Sequence, residues 1–330
     1  ILKGGMLTTV QDLGRTGYQS QGFSVSGVMD VRSFKIANLL LDNPENEAVL
    51  EFTLMGPTLE FTSETIISIT GGDFPPQING KPAKMYTAIY MHRGDILTFG
   101  GARTGTRGYI AFSSYLDIPV VMGSRSTNIK CKIGGFKGRK LEDGDYIGFR
   151  AKRRYLPYYL SRSLDLNEFD QEKVTLRVVM GPQEKMFTKE GRETFLNSEY
   201  TVTSEFDRMG CRLEGPFIAY KTTSDIISDG IAFGSVQVPS HGKPIILLAD
   251  RQTTGGYAKI ATVFSVDIPK LVQRKTEQKV RFQAVSVEEA QKLLADEMKE
   301  LNDFRSQIYT PCKEVLDCRL VAKRISTLFK

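Results

Sequence analysis

The sequence has few of the residues that metal sites and disulfide scaffolds require. Only two histidines, His92 and His241, occur in 330 residues, so a multi-histidine metal site cannot be built. The four cysteines lack the paired spacing of zinc ligands and the density of a disulfide framework; they are Cys131, Cys211, Cys312 and Cys318. We therefore expect free, mostly inert thiols and no metal site.

The sequence also lacks long apolar runs and a signal segment. No run approaches the ~20 residues of a membrane-spanning helix, and the chain starts at Ile1 without a basic and then apolar pattern. Basic residues exceed acidic ones by 44 to 38, but aromatic side chains are not interleaved with the basic clusters as they are in nucleic-acid stacking surfaces. These absences predict a cytoplasmic protein that binds neither nucleic acid nor a membrane.

Several nucleotide and nucleophile motifs are absent as well. The phosphate loop, the glycine-rich dinucleotide turn and the Gly-x-Ser-x-Gly nucleophile elbow do not occur. Ala83-Lys84-Met85 is weakly similar to the lysine–methionine turn on which biotin is carried, but no carrier-like sequence surrounds it. We expect biotin not to be attached to this chain, and ATP, if it takes part, to be held mainly by another chain.

The sequence does contain many short β-rich runs separated by turns. Its 30 glycines and runs such as Thr65 to Thr70 predict a mainly β fold, and Asn79-Gly80 predicts a tight hairpin turn. Helices are predicted at residues 30–41 and after the capping box Ser286 to Glu289. We divide the chain into an N-terminal β domain at residues 1–155, a second β domain at 156–285, a helix at 286–308 and a basic tail at 309–330.

Two polar turns, each following an apolar run, are candidate recognition sites. The turn from Asp250 to Tyr257 combines a carboxylate, a guanidinium, an amide and two hydroxyls. The turn from Gly123 to Thr127 offers the guanidinium of Arg125 and three hydroxyls, which can bind a carboxylate or a phosphate. Alternatively, these hydroxyls satisfy the local backbone and Arg125 pairs with a nearby acid.

Three further polar residues lie shortly before the turn at 250–257. Asp229, Gln237 and His241 could converge on it and supply a proton-transfer group and hydrogen-bond donors. Alternatively, Asp229 forms an ordinary turn and His241 is an exposed turn residue beside Gly242.

Taken together, the polar turns and other motifs, in order along the chain, resemble the biotin-dependent carboxyltransferase family. More narrowly, the chain is similar to the C subunits of bacterial ATP-dependent 5-oxoprolinases, and it is related to the carboxyltransferase region of urea carboxylase and urea amidolyase. The resemblance extends from Leu2 to Ile308; its motifs lie at residues 9–17, 26–30, 37–38, 50–51, 123–127, 134–139, 234–239 and 250–257.

The resemblance implies two cyclophilin-like β-barrel domains with a few helices, the second at residues 156–285. It also implies a hetero-oligomer with the B subunit of 5-oxoprolinase, which is similar to a histidine-kinase inhibitor, and with the A subunit. The implied reaction is the ATP-driven opening of 5-oxo-L-proline, a small cyclic amide, to L-glutamate, with this chain inactive alone. Two alternatives stay open: a regulatory antagonist that binds the kinase inhibitor without catalysis, and a carboxyltransferase acting on a urea-like small amide with carboxybiotin.

The resemblance supports the positions of the site residues, and side-chain chemistry suggests their roles. We assign acid–base chemistry to Asp229, His241 and Asp250. Arg251 or Arg125 would bind the substrate carboxylate, and other polar residues would bind the lactam. The predicted substrate-binding residues are Arg125, Ser126, Thr127, Gln237, Arg251, Gln252, Thr253, Thr254 and Tyr257. Residues of the first domain are expected to contact a partner or hold the structure: Asp12, Arg15, Asp30, Asn38 and Glu51.

Overall fold

The computed structural model describes residues 1–152, 155–166 and 168–310. The predicted basic tail beyond Thr310, with Cys312 and Cys318, lies outside these residues. Cys131 is exposed and Cys211 is buried, and both are free thiols. Within the described residues, no helix has the length and apolar character needed to cross a membrane. The same residues contain no group of three or more His, Cys, Asp or Glu side chains placed to hold a metal ion.

The N-terminal half consists mainly of two antiparallel sheets. Its strands are β1 (Leu7–Gln11), β2 (Val49–Thr53), β3 (Leu59–Glu60), β4 (Thr65–Asp73), β5 (Pro76–Ile78), β6 (Lys81–Pro82), β7 (Ile89–Met91), β8 (Ile96–Phe99) and β9 (Thr104–Phe112). They pair in the orders β1-β2-β9-β4-β7 and β3-β8-β5-β6. Asn79 and Gly80, both with positive φ, form the turn between β5 and β6, so the predicted hairpin is confirmed.

One helix, α1 (Val31–Leu40), packs on the five-stranded sheet. Its apolar face, with Phe34 and Ala37, lies in one core cluster with Tyr109 of β9. The helix begins at Asp30 because that carboxylate accepts a hydrogen bond from the backbone N–H of Ser33 at 2.9 Å, as a capping residue does. The helix predicted at residues 30–41 is therefore confirmed.

The C-terminal half contains a closed barrel. Its strands are β10 (Lys173–Met180), β11 (Glu199–Phe206), β12 (Gly210–Glu214), β13 (Asp225–Gly230), β14 (Ser235–Gln237), β15 (Ile245–Leu247), β16 (Thr254–Tyr257), β17 (Lys259–Val263) and β18 (Lys279–Ala284). The barrel order is β10-β17-β14-β15-β12-β11-β18, closed by the parallel pair β10 and β18. Strands β13 and β16 form a separate two-stranded ribbon. The prediction of a mainly β fold with a few helices is confirmed.

Three more helices complete the described chain: α2 (Lys189–Asn197), α3 (Ile268–Val272) and α4 (Val287–Ile308). Helix α4 begins at the predicted capping box, in which Ser286 and Glu289 satisfy each other's backbone N–H groups. It returns to the N-terminal half, where Glu300 lies 3.0 Å from the guanidinium of Arg32 on α1. This C-terminal helix therefore packs against the N-terminal half, and the predicted helix start at Ser286 is confirmed.

Gln273, which follows α3, joins the two halves through its side-chain amide. The amide oxygen accepts hydrogen bonds from the backbone N–H groups of Thr106 and Arg107, both at 2.9 Å. The amide nitrogen donates to the Asp30 carboxylate at 2.9 Å and to the Arg107 carbonyl at 3.0 Å. Because the side chain is buried and its hydrogen-bonding capacity is used on both atoms, it fixes α3 against strand β9.

Candidate functional site

A groove of about 840 Å3 lies on the outer face of the C-terminal barrel. Ile245 and Leu247 form part of its floor. They flank Ile246, whose side chain lies in the barrel core, and successive side chains of a strand point to opposite faces. The turn between β11 and β12 forms one wall and the ribbon forms the other. The lining residues, which define the barrel groove, are Ser204, Glu205, Phe206, Asp207, Met209, Gly210, Arg212, Gln237, Ile245, Leu247, Gln252, Gly255, Gly256 and Tyr257.

The ribbon packs tightly against the barrel at Gly255. A Cβ atom at this position would lie 2.8 Å from Nε2 of Gln237 and 2.8 Å from Cδ1 of Ile231, so a side chain there would push the ribbon outwards. Gln237 Nε2 also approaches the carbonyl of Tyr257 at 3.5 Å. The structure thus brings three of the predicted substrate-binding residues, Gln237, Gln252 and Tyr257, into one groove.

The turn at Asp250 is held by a buried arginine that the sequence analysis did not identify. Arg208 Nε donates to Asp250 Oδ2 at 2.9 Å, and its Nη1 pairs with the carboxylate of Glu51 on β2. Its Nη2 donates to the carbonyl of Gly27 at 2.5 Å. Burial alone would lower the pKa of Arg208, but the charges of Asp250 and Glu51 outweigh burial and hold that pKa above its ordinary value.

This arrangement gives Asp250 a structural partner outside the groove. The carboxylate is 9% exposed, it does not line the groove, and both of its oxygens contact Arg208, at 2.9 and 3.3 Å. A carboxylate whose two oxygens both contact a buried guanidinium is not presented to a ligand in the groove. Asp250 instead holds its own turn to the turn after β11, so that both walls of the groove are fixed by one ion pair.

The turn at residues 123–127 is organised around Asp12. The Asp12 carboxylate accepts hydrogen bonds at 2.6 Å from the hydroxyls of Ser124 and Ser126 and from the backbone N–H of Arg125. Ser126 and Thr127 are fully buried, and the Thr127 hydroxyl donates to the Val10 carbonyl at 2.9 Å. These contacts favour the alternative in which the hydroxyls of Ser126 and Thr127 satisfy groups within the protein.

Arg125 and Arg15 also make internal contacts at this turn. Arg125 Nε donates to the carbonyl of Ile118 at 3.0 Å, and Arg125 does not line the barrel groove. Arg15 is buried and donates to the carbonyl of Ser126; burial lowers the pKa of its guanidinium, although Asp12 and Asp250 oppose that shift. The structure does not bring Arg125 to the substrate-binding residues of the groove.

The other first-domain motif residues have internal partners too. Asp30 caps α1 and contacts Gln273, and burial raises the pKa of its carboxyl group. Glu51 accepts from the backbone N–H of Met29 at 2.8 Å in addition to its pair with Arg208. Asn38 donates to the carbonyl of Glu47 at 2.9 Å. These contacts favour the structural alternative for Asp30, Asn38 and Glu51.

Arg251 is buried at the base of the ribbon. Its Nε donates to the carbonyl of Ile231 at 3.1 Å, its Nη1 donates to the carbonyl of Leu248 at 3.2 Å, and the guanidinium lies 5.6 Å from the centre of the Phe233 ring. Desolvation lowers the pKa of Arg251 to about 10. Because Arg251 is 6% exposed and does not line the groove, its geometry supports holding the ribbon and not direct substrate binding. Thr253 precedes β16 and Thr254 begins it, and neither lines the groove.

The two remaining acid–base candidates lie apart from the groove lining. Asp229, on β13, accepts a hydrogen bond from the ammonium of Lys259 at 2.5 Å and another from Gln183 at 3.2 Å. The hydrogen bond from Lys259 lowers the pKa of Asp229, which makes this carboxylate a weaker base. His241 is an exposed turn residue whose Nδ1 accepts from the backbone N–H of Lys243 at 3.2 Å. None of Asp229, His241 and Asp250 lines the barrel groove, and each has a different partner: Lys259, the backbone of Lys243 and Arg208.

Comparison with known proteins identifies the family. The family model described as "Carboxyltransferase domain, subdomain A and B" matches residues 21–284. The chain belongs to this carboxyltransferase domain family. It is 35% identical over 304 residues to the C subunit of the 5-oxoprolinase of Escherichia coli (strain K12), a match that covers 91% of this chain and 95% of that protein.

Urea-processing proteins contain a similar carboxyltransferase domain within much longer chains. The urea amidolyase of Lachancea kluyveri is 30% identical over 331 residues, which cover 93% of this chain and 18% of that protein. The crystal structure of the K. lactis urea amidolyase matches with a TM-score of 0.85 and 29% identity, over 92% of this chain and 20% of that one. The chain therefore spans about a fifth of these urea amidolyases.

In this carboxyltransferase domain, sequence reasoning missed two cations that organise the site. Arg208 lies in a short polar turn, Asp207 to Gly210, where an arginine ordinarily faces solvent, so no local signal pointed to its burial. Lys259 begins the mainly apolar strand β17 and is 4% exposed. A lysine at the start of an apolar strand is a usable signal, because lysine is rarely buried without a partner.

Proposed function

We propose that this chain is the C subunit of an ATP-dependent 5-oxoprolinase, which opens 5-oxo-L-proline to L-glutamate together with the A and B subunits. Similarity to the 5-oxoprolinase C subunits of E. coli and Haemophilus influenzae, each 35% identical over 86% or more of both chains, supports this class. The observation on which the substrate site rests is the barrel groove, where Gln237, Gln252 and Tyr257 meet. The groove then forms this chain's wall of the lactam site.

The side chains of the groove suit a small cyclic amide. A lactam presents one N–H donor and one carbonyl acceptor, and a glutamine amide offers a donor and an acceptor in one plane. Gln237 and Gln252 supply two such amides, and Tyr257 adds a hydroxyl. Apolar surface from Ile245 and Leu247 can contact the ring methylenes. This combination of a few polar groups with an apolar floor is typical of small-molecule sites.

The same groove fits the triphosphate of ATP poorly. Glu205 and Asp207 both line it, and their carboxylates would repel phosphate oxygens. Arg212, the arginine of the lining, already lies 2.9 Å from Glu205. We therefore assign the phosphates of ATP to another chain of the complex.

The arrangement of acid–base residues also favours a shared site. Among the described residues, the groove lining contains no histidine and no lysine, and Asp207 accepts hydrogen bonds from the backbone N–H groups of Met209 and Gly210. Asp229 is paired with Lys259, and His241 lies in an exposed turn. The groups that move protons during lactam opening are then expected on a partner, which makes this chain inactive alone.

Reconstitution tests this function. The chain is combined with candidate A and B subunits, and the formation of glutamate and ADP from 5-oxoproline and ATP is followed. We expect turnover with all three chains and none when this chain is omitted. Equal turnover without it would overturn the proposal. Absence of turnover in an intact complex, with tight binding to the kinase-inhibitor-like chain, would favour a regulatory antagonist.

A second candidate is a carboxyltransferase that acts on a urea-like small amide with carboxybiotin. Its support is the similarity of this chain to one region of the urea amidolyases. The same groove would then bind the amide, and a separate carrier would bring the biotin. Consumption of carboxybiotin in the presence of small amides, without ATP hydrolysis at the transfer step, would distinguish this candidate from the oxoprolinase.

A further inference from the structure

The outer strand of the ribbon, β13, buries little apolar surface against the barrel. Five of its six residues are exposed, and Ile227 is 95% exposed. Ile226 packs partly on the barrel core, and the pairing of β13 with β16 is irregular between Asp225 and Asp229. Because little apolar area of this strand is removed from water, its position depends mainly on polar contacts.

Lys259 reaches back from the barrel to this strand. Its side chain is 5% exposed, and its ammonium donates to Asp229 Oδ2 at 2.5 Å and to the Gly230 carbonyl at 2.8 Å. Gln183 contacts both members of the ion pair: its Oε1 accepts from the backbone N–H of Lys259 and its Nε2 donates to Asp229 Oδ2, both at 3.2 Å. We call Lys259, Asp229, Gly230 and Gln183 the ribbon clasp.

The ribbon clasp meets the ribbon at the point where the ribbon walls the groove. Asp229 is the ladder partner of Gly255, and Gly230 is the partner of Thr254. Gly255 lines the groove, and it lies so close to Gln237 that a Cβ atom would be 2.8 Å from Nε2. A displacement of Asp229 therefore moves Gly255 with it and changes the width of the groove beside the Gln237 amide.

We propose that Lys259 and Asp229 are positioning residues for the barrel groove, and that their ion pair holds the ribbon in the conformation that binds the small amide. The identity of the ligand rests on the proposed function, whereas the hold on the ribbon does not. Neither side chain lines the groove, so each acts through the ribbon and not by contact with the ligand. Asp229, a candidate for acid–base chemistry from its sequence, then has a role that needs no proton transfer.

The two partners differ in burial, and this difference decides which substitution is the cleaner test. Removal of Asp229 leaves the ammonium of Lys259 buried without its carboxylate, which is costly. Lys259→Met keeps a long side chain of apolar character in the buried position. It also frees the Asp229 carboxylate, which is 52% exposed, to be hydrated. Lys259→Met is therefore expected to release the ribbon while the barrel stays folded.

Hydrogen exchange of the full chain measures release of the ribbon directly. The backbone N–H groups of Ile231 and Ala258 each donate a hydrogen bond at one end of the ribbon. In Lys259→Met we expect the protection factors of these two amides to fall about tenfold, the effect of losing one charge-assisted contact. Barrel amides, such as that of Val263, should keep their wild-type protection. Unchanged protection of the ribbon, or an equal loss in ribbon and barrel, would overturn the proposal.

Kinetics of the reconstituted oxoprolinase test the consequence for the groove. If the released ribbon adopts its binding conformation about one tenth of the time, the apparent affinity for 5-oxoproline falls about tenfold, and saturating ligand restores that conformation. We therefore expect Lys259→Met to raise KM about tenfold and to change kcat less than about twofold. Asp229→Ala should also raise KM, and the double variant should be no worse than the single ones, because all three remove the same interaction.

Lys173→Met is the matched control. Lys173 begins another barrel strand and pairs with Glu199, and both side chains are partly exposed. Its substitution should change neither the protection of the ribbon nor KM. A fall in kcat with unchanged KM in Asp229→Ala would make Asp229 catalytic and overturn the positioning role. If the wild-type complex neither binds nor opens 5-oxoproline, the proposed function fails, and hydrogen exchange in Lys259→Met still decides whether the ion pair holds the ribbon.

Discussion

The interface between the two halves and the barrel groove use polar side chains in opposite ways. At the interface, Arg208 contacts both Glu51 and Asp250, and Gln273 uses both atoms of its amide on the N-terminal half. In the groove, Gln237 makes one long contact of 3.5 Å to a backbone carbonyl. Satisfied polar groups hold structure, whereas incompletely satisfied ones next to a groove are available to a ligand. This difference is the reason for placing the proposed site in the groove and not in the buried polar turns.

Removal of Arg208 is expected to have the largest effect among the variants that test this difference between the interface and the groove. Arg208→Met would leave the carboxylates of Glu51 and Asp250 buried without a cation. We expect a loss of about 3–5 kcal/mol in the free energy of unfolding, the usual result of removing one partner from a buried ion pair. Denaturant unfolding followed by circular dichroism measures this loss.

Arg212→Met is the matched control for that experiment. Arg212 pairs with Glu205 in the same hairpin, but the two side chains are 51% and 71% exposed. Exposed ion pairs contribute about 0–1 kcal/mol, so the control should unfold almost like the wild type. Similar losses in both variants would show that the interface has no special role in stability.

For Gln237 in the groove we expect substitution to affect turnover more than stability. Gln237→Ala removes one amide from the proposed lactam site, and we expect turnover by the reconstituted complex to fall about tenfold, the effect of one lost hydrogen bond of roughly 1.4 kcal/mol. Stability should change less than in Arg208→Met, since the contact that Gln237 Nε2 makes is to the backbone carbonyl of Tyr257 and not to a charged group. Kinetics at saturating and limiting 5-oxoproline, beside unfolding curves, measure both effects. Unchanged kinetics with a folded variant would remove Gln237 from the site.

The sequence predicted those parts of the fold that depend on neighbouring residues. The start of α1 at Asp30, the start of α4 at Ser286 and the hairpin at Asn79-Gly80 each depend on contacts within a few residues, and the structure confirms all three. The closure of the barrel could not be predicted from neighbouring residues. It pairs β10 with β18, whose first residues, Lys173 and Lys279, lie far apart in sequence.

Partners that are distant in sequence also explain why the sequence did not show which polar residues of the turns are already engaged. The polar turn at Asp250 has the composition of a binding loop, but its carboxylate is satisfied by Arg208, 42 positions earlier, which in turn pairs with Glu51. Ser126 and Thr127 are satisfied by Asp12 and Val10, more than 100 positions away. Composition shows which groups can bind a ligand, whereas only tertiary structure shows which of them are already occupied.

The smallest expected effect is a difference in pKa between a carboxyl group at the interface, Asp30, and one on the ribbon, Asp229. Burial raises the pKa of Asp30 above its ordinary value of 3.8, so the folded protein retains this proton over a pH range in which the unfolded chain has lost it. The folded state then binds more protons, and the contribution of Asp30 to the free energy of unfolding falls as pH rises from the ordinary value through the raised one. Asp229 shows the opposite shift, because Lys259 lowers its pKa.

Carboxyl-detected NMR titration of both residues measures these directions. We expect Asp30 to titrate above 3.8 and Asp229 below it. Asp30→Asn should flatten the decline in stability as pH rises above about 4, since the neutral amide has no proton to lose. Asp229→Asn should leave that decline in place, because Asp229 is exposed and shifted the other way. If both carboxyls titrate at the same pH, the interface and the ribbon do not differ in electrostatic environment, and the contrast between them is restricted to hydrogen bonding.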